Sequence, residues 1–276
     1  MKLLHVPPRQ GVLWVKRGIH VFARAPLAFC MLMTVVLLAA LVLSLLKPVG
    51  VMVTLAIPPL VSLGFMIAAR RVIEKDDRRP TPMVFIEPLR AGGARMRSML
   101  KLCVAYAVLF MVIVSACDWA SGNRFDVLLQ GGGSGAGGSD MSLLGDSRVL
   151  WSVLLCLTLL SLLSLAFWHA PALIYWGRQS MSQSLFSSTL ACWRSRGAFA
   201  AYGLAWIGLN VAASWLLALA LLMVSGRDWL SATVLPLGLV LTTMFYASLY
   251  FTFADSFGDD DEPALQQDAP WSSPSP

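Results

Sequence analysis

Six stretches of near-continuous apolar sequence decide what this chain can become: residues 26–46, 49–69, 102–119, 149–170, 199–224 and 233–253. A helix needs about 20 apolar residues to cross a bilayer core. None of the six holds Lys, Arg, Asp or Glu at its centre, where an arginine would cost about 2.5–3.5 kcal/mol. The runs are Leu-rich and do not alternate, so they predict helices rather than the strands of a barrel. Composition points the same way. The chain is 57% hydrophobic and only 13% charged, against about 25% charged in soluble domains. A water-soluble fold of this size could not be given a polar surface. In lipid, helices satisfy the backbone internally. The expectation is an all-α, polytopic membrane bundle of six transmembrane helices.

The densest charge, RRVIEKDDRRP at residues 70–80, lies between the second and third runs. The piece before the first run carries Lys2, Arg9, Lys16, Arg17 and Arg24. Nine more Lys and Arg follow the second run, among them Arg70, Arg71, Arg78 and Arg79, and three follow the fourth. The alternate connections hold only Lys47, then Arg124 and Arg148, then Arg227. Seventeen basic residues thus fall on one side and four on the other, and the positive-inside rule places both termini in the cytoplasm. Arg9, Lys16, Arg17, Arg24, Arg70, Arg71, Arg78 and Arg79 are candidates for anionic lipid headgroups or for a docking protein partner. The net charge of +6 comes with no nucleic-acid recognition motif, so no nucleic-acid partner is expected. The first run is longer than the apolar core of a signal peptide and another follows almost at once, so it is read as retained.

Each pair of runs has a lead-in. Over residues 9–25, Arg9, Lys16, Arg17, His20 and Arg24 share one helical face, and Val12, Val15, Ile19 and Phe22 the other, with Trp14 beside them. This predicts an in-plane interfacial helix, basic toward headgroups and apolar toward acyl chains. Residues 85–101 repeat the idea with Phe85, Leu89, Met96 and Leu100. Residues 182–196 do so more weakly, with Leu185, Phe186, Leu190 and Trp193 against serines. The second run of each pair carries proline: Pro58 and Pro59, Pro171, and Pro236. Three kinked partners suggest three hairpins and a pseudo-repeat, although proline is frequent in membrane helices anyway. In the fifth run Ala201, Ala205, Gly208 and Ala212 form a small-residue packing stripe, and Asn210 needs a hydrogen-bond partner on another helix.

Chemistry is sparse. The Gly/Ser-rich connection 121–148 reads as a flexible outer loop and lacks both phosphate-loop and nucleophile-elbow order. The tail 256–276 is acidic, then Pro/Ser-rich, and is expected to be disordered. Asp259, Asp260, Asp261 and Glu262 read first as a solvated acidic run, with the cytoplasmic arginines or a divalent cation as the alternative partners. The five cysteines show no metal or disulfide spacing and read as small buried hydrophobes. His169, in FWHAPALIYW just before Pro171, is the most interesting polar residue. It either handles a proton or metal, or bonds a carbonyl that the proline frees. No second histidine or carboxylate stands at ligand spacing, which favours the second reading. Catalysis would need His169 to converge with Asp255 or Asp118. No catalytic residue, cofactor or metal site is expected. The runs carry no midplane ionisable group, which counts against a proton-driven carrier but not against a facilitator. The expected function is that of a lipid- or protein-binding envelope component, self-association included; the alternative is a transporter or facilitator for a small solute or lipid.

Three segments, GVLWVKRGIHVFARAPLAF, AIPPLVSLGFMIAARRV and YASLYFTFADSF, resemble an uncharacterised family of betaproteobacterial inner-membrane proteins. The resemblance spans nearly the whole chain up to the tail. It implies a multi-pass protein of the bacterial inner (plasma) membrane with no assigned activity. The layout of lead-ins and hairpins is also similar to the membrane domains of some glycerophosphodiester phosphodiesterases. This chain lacks their catalytic domain, so hydrolysis does not carry over.

Overall fold

The computed structural model describes residues 2–46, 49–74, 80–90, 92–122, 147–223 and 228–258. After a two-residue strand β1 (Lys2–Leu3) come α1 (Arg9–Arg24), α2 (Pro26–Ser44), α3 (Val49–Ala56) and α4 (Pro58–Ile73). A 3-10 turn (Pro82–Phe85) and the short α5 (Glu87–Arg90) lead into α6 (Gly93–Ser121). Then follow α7 (Ser147–Phe167), α8 (Ala170–Tyr175), α9 (Met181–Arg194), α10 (Arg196–Met223), α11 (Asp228–Ser256) and strand β2 (Phe257–Gly258). Five stretches are long and apolar enough to cross a membrane: α2, α6, α7 with α8, α10 and α11. The bent pair α3–α4 makes up to six. The fold is the all-α, polytopic bundle that the apolar runs predict.

Proline sets where helices start and break. Pro26 opens α2 in its first turn, where a missing N–H costs nothing. Pro58 and Pro59 remove two consecutive donors from the second run. The run splits there, bent by 40°, and α4 restarts with Leu60 and Val61 donating to the Ile57 carbonyl at 2.9 and 3.1 Å. The fourth run breaks at Trp168–His169, before Pro171. Pro236, in contrast, lies inside an unbroken α11.

Two expectations need correction. Residues 85–101 are not one interfacial helix. Gly92, at φ 103°, turns the chain after α5, and residues 93–101 become the first turns of the spanning α6. Helix α1 does not turn its apolar face to acyl chains. Its Trp14, Val15, Val21 and Phe22 are buried, and it packs between α10, α11 and α4. Val12 and Leu13 are the large apolar residues it leaves exposed. The sequential pairs are also unequal. Helices α6 and α7 pack along each other, whereas α11 leans chiefly on α1 and α4, and α10 chiefly on α1.

Burial is lopsided along the bundle. The buried residues of α2 lie in its first half (Phe29, Leu32, Met33), and those of α10 at its start (Ala198, Tyr202, Trp206). In α11 they run from Thr243 to Ser256. A chain of ring contacts knits this end together, from Phe22 through Phe29 and Phe65 to Tyr246, Phe245 and Trp206. The far ends of α2 and α10 present Leu41, Val42, Trp215 and Leu216 outward, a surface suited to lipid rather than water.

Candidate functional site at the basic end of the bundle

The two ends of the described chain are clasped together. Lys2 pairs with Gly258 and Leu3 with Phe257 in antiparallel register, and the Leu4 amide donates to the Ser256 carbonyl at 3.0 Å. Residues 256–258 therefore belong to the folded part, and the expected disordered tail shortens to residues 259–276, which lie outside the described residues. Just before the clasp, Asp255 gathers three donors from α1. Gln10 Nε2 and Trp14 Nε1 each donate at 2.7 Å, and Arg17 Nη1 pairs at 3.3 Å. The carboxylate is 10% exposed and the guanidinium side chain 19%. Glycine lets α1 come this close: Gly11 lies against the α10 backbone at Ala198 and Tyr202, and Gly18 against Ser248 of α11.

This overturns one assignment and leaves others on the surface. Arg17 faces Asp255 rather than headgroups. Arg9, Lys16 and Arg24 are exposed along α1. Arg71 Nη2 donates to Glu87 at 2.6 Å, and the same carboxylate accepts from the Tyr175 hydroxyl at 2.7 Å. Arg70 pairs with Glu74 one turn on, at 2.6 Å, and lies 5.8 Å from the Trp176 ring centroid. Arg78 and Arg79, like nearly all of the expected outer loop 121–148, lie outside the described residues.

Helix α9 adds an apolar rim. Its first turn is closed by a capping box between Ser180 and Gln183. Ser184, Ser188, Ala191 and Cys192 face inward, while Phe186, Leu190 and Trp193 face out beside the exposed Arg194 and Arg196. Ser188 Oγ shows why the serine face turns inward. It accepts from the His169 amide and donates to the Leu165 carbonyl, both at 3.0 Å, and so splints the break between α7 and α8. Burial pushes the Cys192 thiol up to about 12, which leaves it protonated and unreactive at neutral pH.

His169 is wholly buried, and neither ring nitrogen meets a hydrogen-bond partner. The expected bond to a freed carbonyl is absent. The ring sits instead among Phe199, Phe253 and Phe257, at centroid distances of 5.5–6.0 Å. Asp255 is engaged by Gln10, Trp14 and Arg17 rather than by this imidazole. An unsatisfied buried polar group costs about 1–3 kcal/mol. His169→Phe is therefore expected to raise the thermal unfolding temperature of the purified protein in detergent, and a fall would show that the nitrogens have a partner after all.

In α10, Ala201 and Ala205 are half-buried, whereas Gly208 and Ala212 are exposed and Gly208 has open space beside it. The packed face runs instead through Ala198, Tyr202 and Trp206. Asn210 bonds within its own helix, its Nδ2 donating to the Trp206 carbonyl at 2.8 Å. A cleft of about 130 Å³ opens at the α3–α4 break, lined by Pro58, Ser62, Tyr106, Trp168, Phe245 and Tyr246, among others. The cleft was not anticipated, and the paired prolines were its only sequence signal; the α9 rim uses Phe186, Leu190 and Trp193 of the stripe read over residues 182–196. Among the described residues, no group of three or more His, Cys, Asp or Glu is arranged to hold a metal ion.

A multi-pass α-helical membrane protein with a clasped, basic end is the class these features define. No family model matches the chain, and no solved structure matches it. Over 258 residues, 94% of each chain, it is 31% identical to a probable inner membrane protein of Burkholderia thailandensis. The chain belongs to the family of that protein.

Proposed function

We propose that this protein is a non-enzymatic component of the bacterial inner membrane whose basic end, with both termini in the cytoplasm, holds anionic lipid headgroups. The observation that carries the reading is α1. It is locked to the bundle through Asp255, Gly11 and Gly18, and it still exposes Arg9, Lys16 and Arg24. A cationic row on a fixed helix spends little ordering entropy on binding. The outward Phe186 and Trp193 of α9, next to Arg194 and Arg196, suit the acyl–headgroup boundary. Purified protein exchanged into mixed micelles is expected to retain phosphatidylglycerol over phosphatidylcholine. The double change Arg9→Gln, Lys16→Gln is expected to weaken that preference without lowering the unfolding temperature. Equal retention of the two lipids by the unaltered protein would overturn the reading.

The cleft at the α3–α4 break supports a second reading, a facilitator for a small solute or lipid. Broken helices near the bilayer midplane are a recurrent feature of transporter binding sites. Reconstituted vesicles that move a solute, with loss of movement on Tyr106→Phe or Tyr246→Phe, would favour it over the first.

A further inference from the structure

Four helices converge on the cleft at the α3–α4 break. Ser62 of α4, Tyr106 of α6, Ser164 of α7 and Tyr246 of α11 all line it. Each lies within one of the apolar runs 49–69, 102–119, 149–170 and 233–253. Whatever enters the cleft therefore comes from the hydrocarbon layer. None of the lining residues is Lys, Arg, His, Asp or Glu. That suits a neutral guest, since a charge without a counterion is costly at this depth. The volume is about 130 Å³. A cavity of about 150 Å³ holds benzene, so the space matches one six-membered ring rather than a whole lipid. Ser164 is exposed and both tyrosines are half-buried. The mouth is thus open, and a substituent on the ring can trail into the bilayer.

The free donors fix the chemistry of that ring. Ser62 Oγ donates to the Pro59 carbonyl at 3.0 Å, and Trp168 Nε1 to Thr252 Oγ1 at 3.2 Å, so both are engaged. The hydroxyls of Tyr106 and Tyr246 have no hydrogen-bond partner among the described residues. A phenol gives its proton more readily than it takes one, because its lone pair is shared with the ring, and away from water it needs an acceptor. The walls are electron-rich rings. Tyr106 meets Phe167 edge-on at 5.2 Å, and Trp168 and Tyr246 each meet Phe245 edge-on, at 6.0 and 5.8 Å. Such faces attract a ring that is poor in electrons. A neutral, flat, electron-poor six-membered ring with carbonyl acceptors is a quinone. We propose that the cleft binds the ring of a lipid-soluble quinone, with Tyr106 and Tyr246 donating to its carbonyl oxygens. The assignment concerns what the cleft holds; it needs neither passage of a solute across the membrane nor headgroups at the basic end.

The test uses the full-length protein purified in detergent. Binding of duroquinone, whose methyl groups shield its ring from the free thiols, is measured by equilibrium dialysis, with uptake by protein-free micelles subtracted. Durene is the comparison: it has the same ring and methyl groups and no carbonyl. The expected result is saturable binding of duroquinone, about tenfold tighter than that of durene. Tyr106→Phe and Tyr246→Phe each remove an oxygen with no partner in the protein, so both variants should keep the unfolding temperature of the unliganded chain. Each is expected to weaken duroquinone about fivefold and to leave durene unchanged. Tyr175→Phe is the control. Its hydroxyl bonds Glu87 outside the cleft, and its loss should leave duroquinone binding as it was. Equal affinity for the two molecules overturns the proposal. So does binding that never saturates, binding that survives both lining changes together, or a loss at Tyr175→Phe as large as theirs.

Discussion

Replacing Asp255 with alanine is expected to release α1 from the bundle. Three donors lose their acceptor at once: Gln10 Nε2, Trp14 Nε1 and Arg17 Nη1. Arg17 is then left poorly solvated beside the Phe251 ring, 5.9 Å from its centroid. Removing one partner of a largely buried ion pair costs about 3 kcal/mol or more, because the charge left behind is uncompensated. Asp255→Asn should cost less, since the amide oxygen still accepts from Trp14 and Gln10 and only the charge is lost. Thiol-reactive dye melting in detergent reads the effect through the buried Cys103 and Cys192. The predicted order of unfolding temperature is wild type, then Asp255→Asn, then Asp255→Ala. An alanine variant that melts with the wild type would mean that the clasp contributes nothing.

The second large effect is steric. A Cβ at Gly11 would fall within 2.7 Å of the Tyr202 amide nitrogen and nearer still to the Ala198 carbonyl oxygen. At Gly18 it would lie within 2.8 Å of the Ser248 Cα and nearer still to its Cβ. In both places the obstacle includes backbone, which cannot swing away as a side-chain tip can. Gly11→Val and Gly18→Val are each expected to cost about 3 kcal/mol by overpacking. The Tyr202–Ser248 hydroxyl bond, 2.7 Å between α10 and α11, sits between these helices and should be strained as well. Gly208→Ala is the control. Nothing lies within 4 Å of that position, and alanine is the better helix former by about 1 kcal/mol. Stability should therefore hold or rise there. Equal losses at all three positions would mean that α1 is not seated as described.

These two predictions mark where sequence reasoning stopped. The apolar runs were legible because length and hydropathy are local properties, and the breaks at Pro58 and near Pro171 follow from missing donors within one turn. The three recognisable segments were legible as strings but not as neighbours. In the fold they meet: Trp14 and Arg17 of the first touch Asp255 of the third, and Phe65 of the second stacks on Phe29 of the first and contacts Tyr246 of the third. The amphipathic pattern of α1 could not say whether its apolar face would meet lipid or protein, since both are apolar solvents for Val15 and Phe22. Arg17 looked like its neighbour Lys16, and only a carboxylate 238 residues away separates their roles. The small-residue stripe misled for a related reason. Gly208 permits a close approach, but nothing in one chain obliges a helix to use it. His169 stood out correctly as unusual, while its lack of a partner depends on Phe199, Phe253 and Phe257, which come from other elements.

The account rests on an even number of crossings that returns both ends to one side, the side richest in arginine. Fusing green fluorescent protein or alkaline phosphatase after residue 276, and separately within residues 131–138, measures this directly. The account predicts fluorescence and no phosphatase activity at residue 276, with phosphatase activity and no fluorescence in the loop. Phosphatase activity at residue 276, or the same reporter active at both positions, would contradict it.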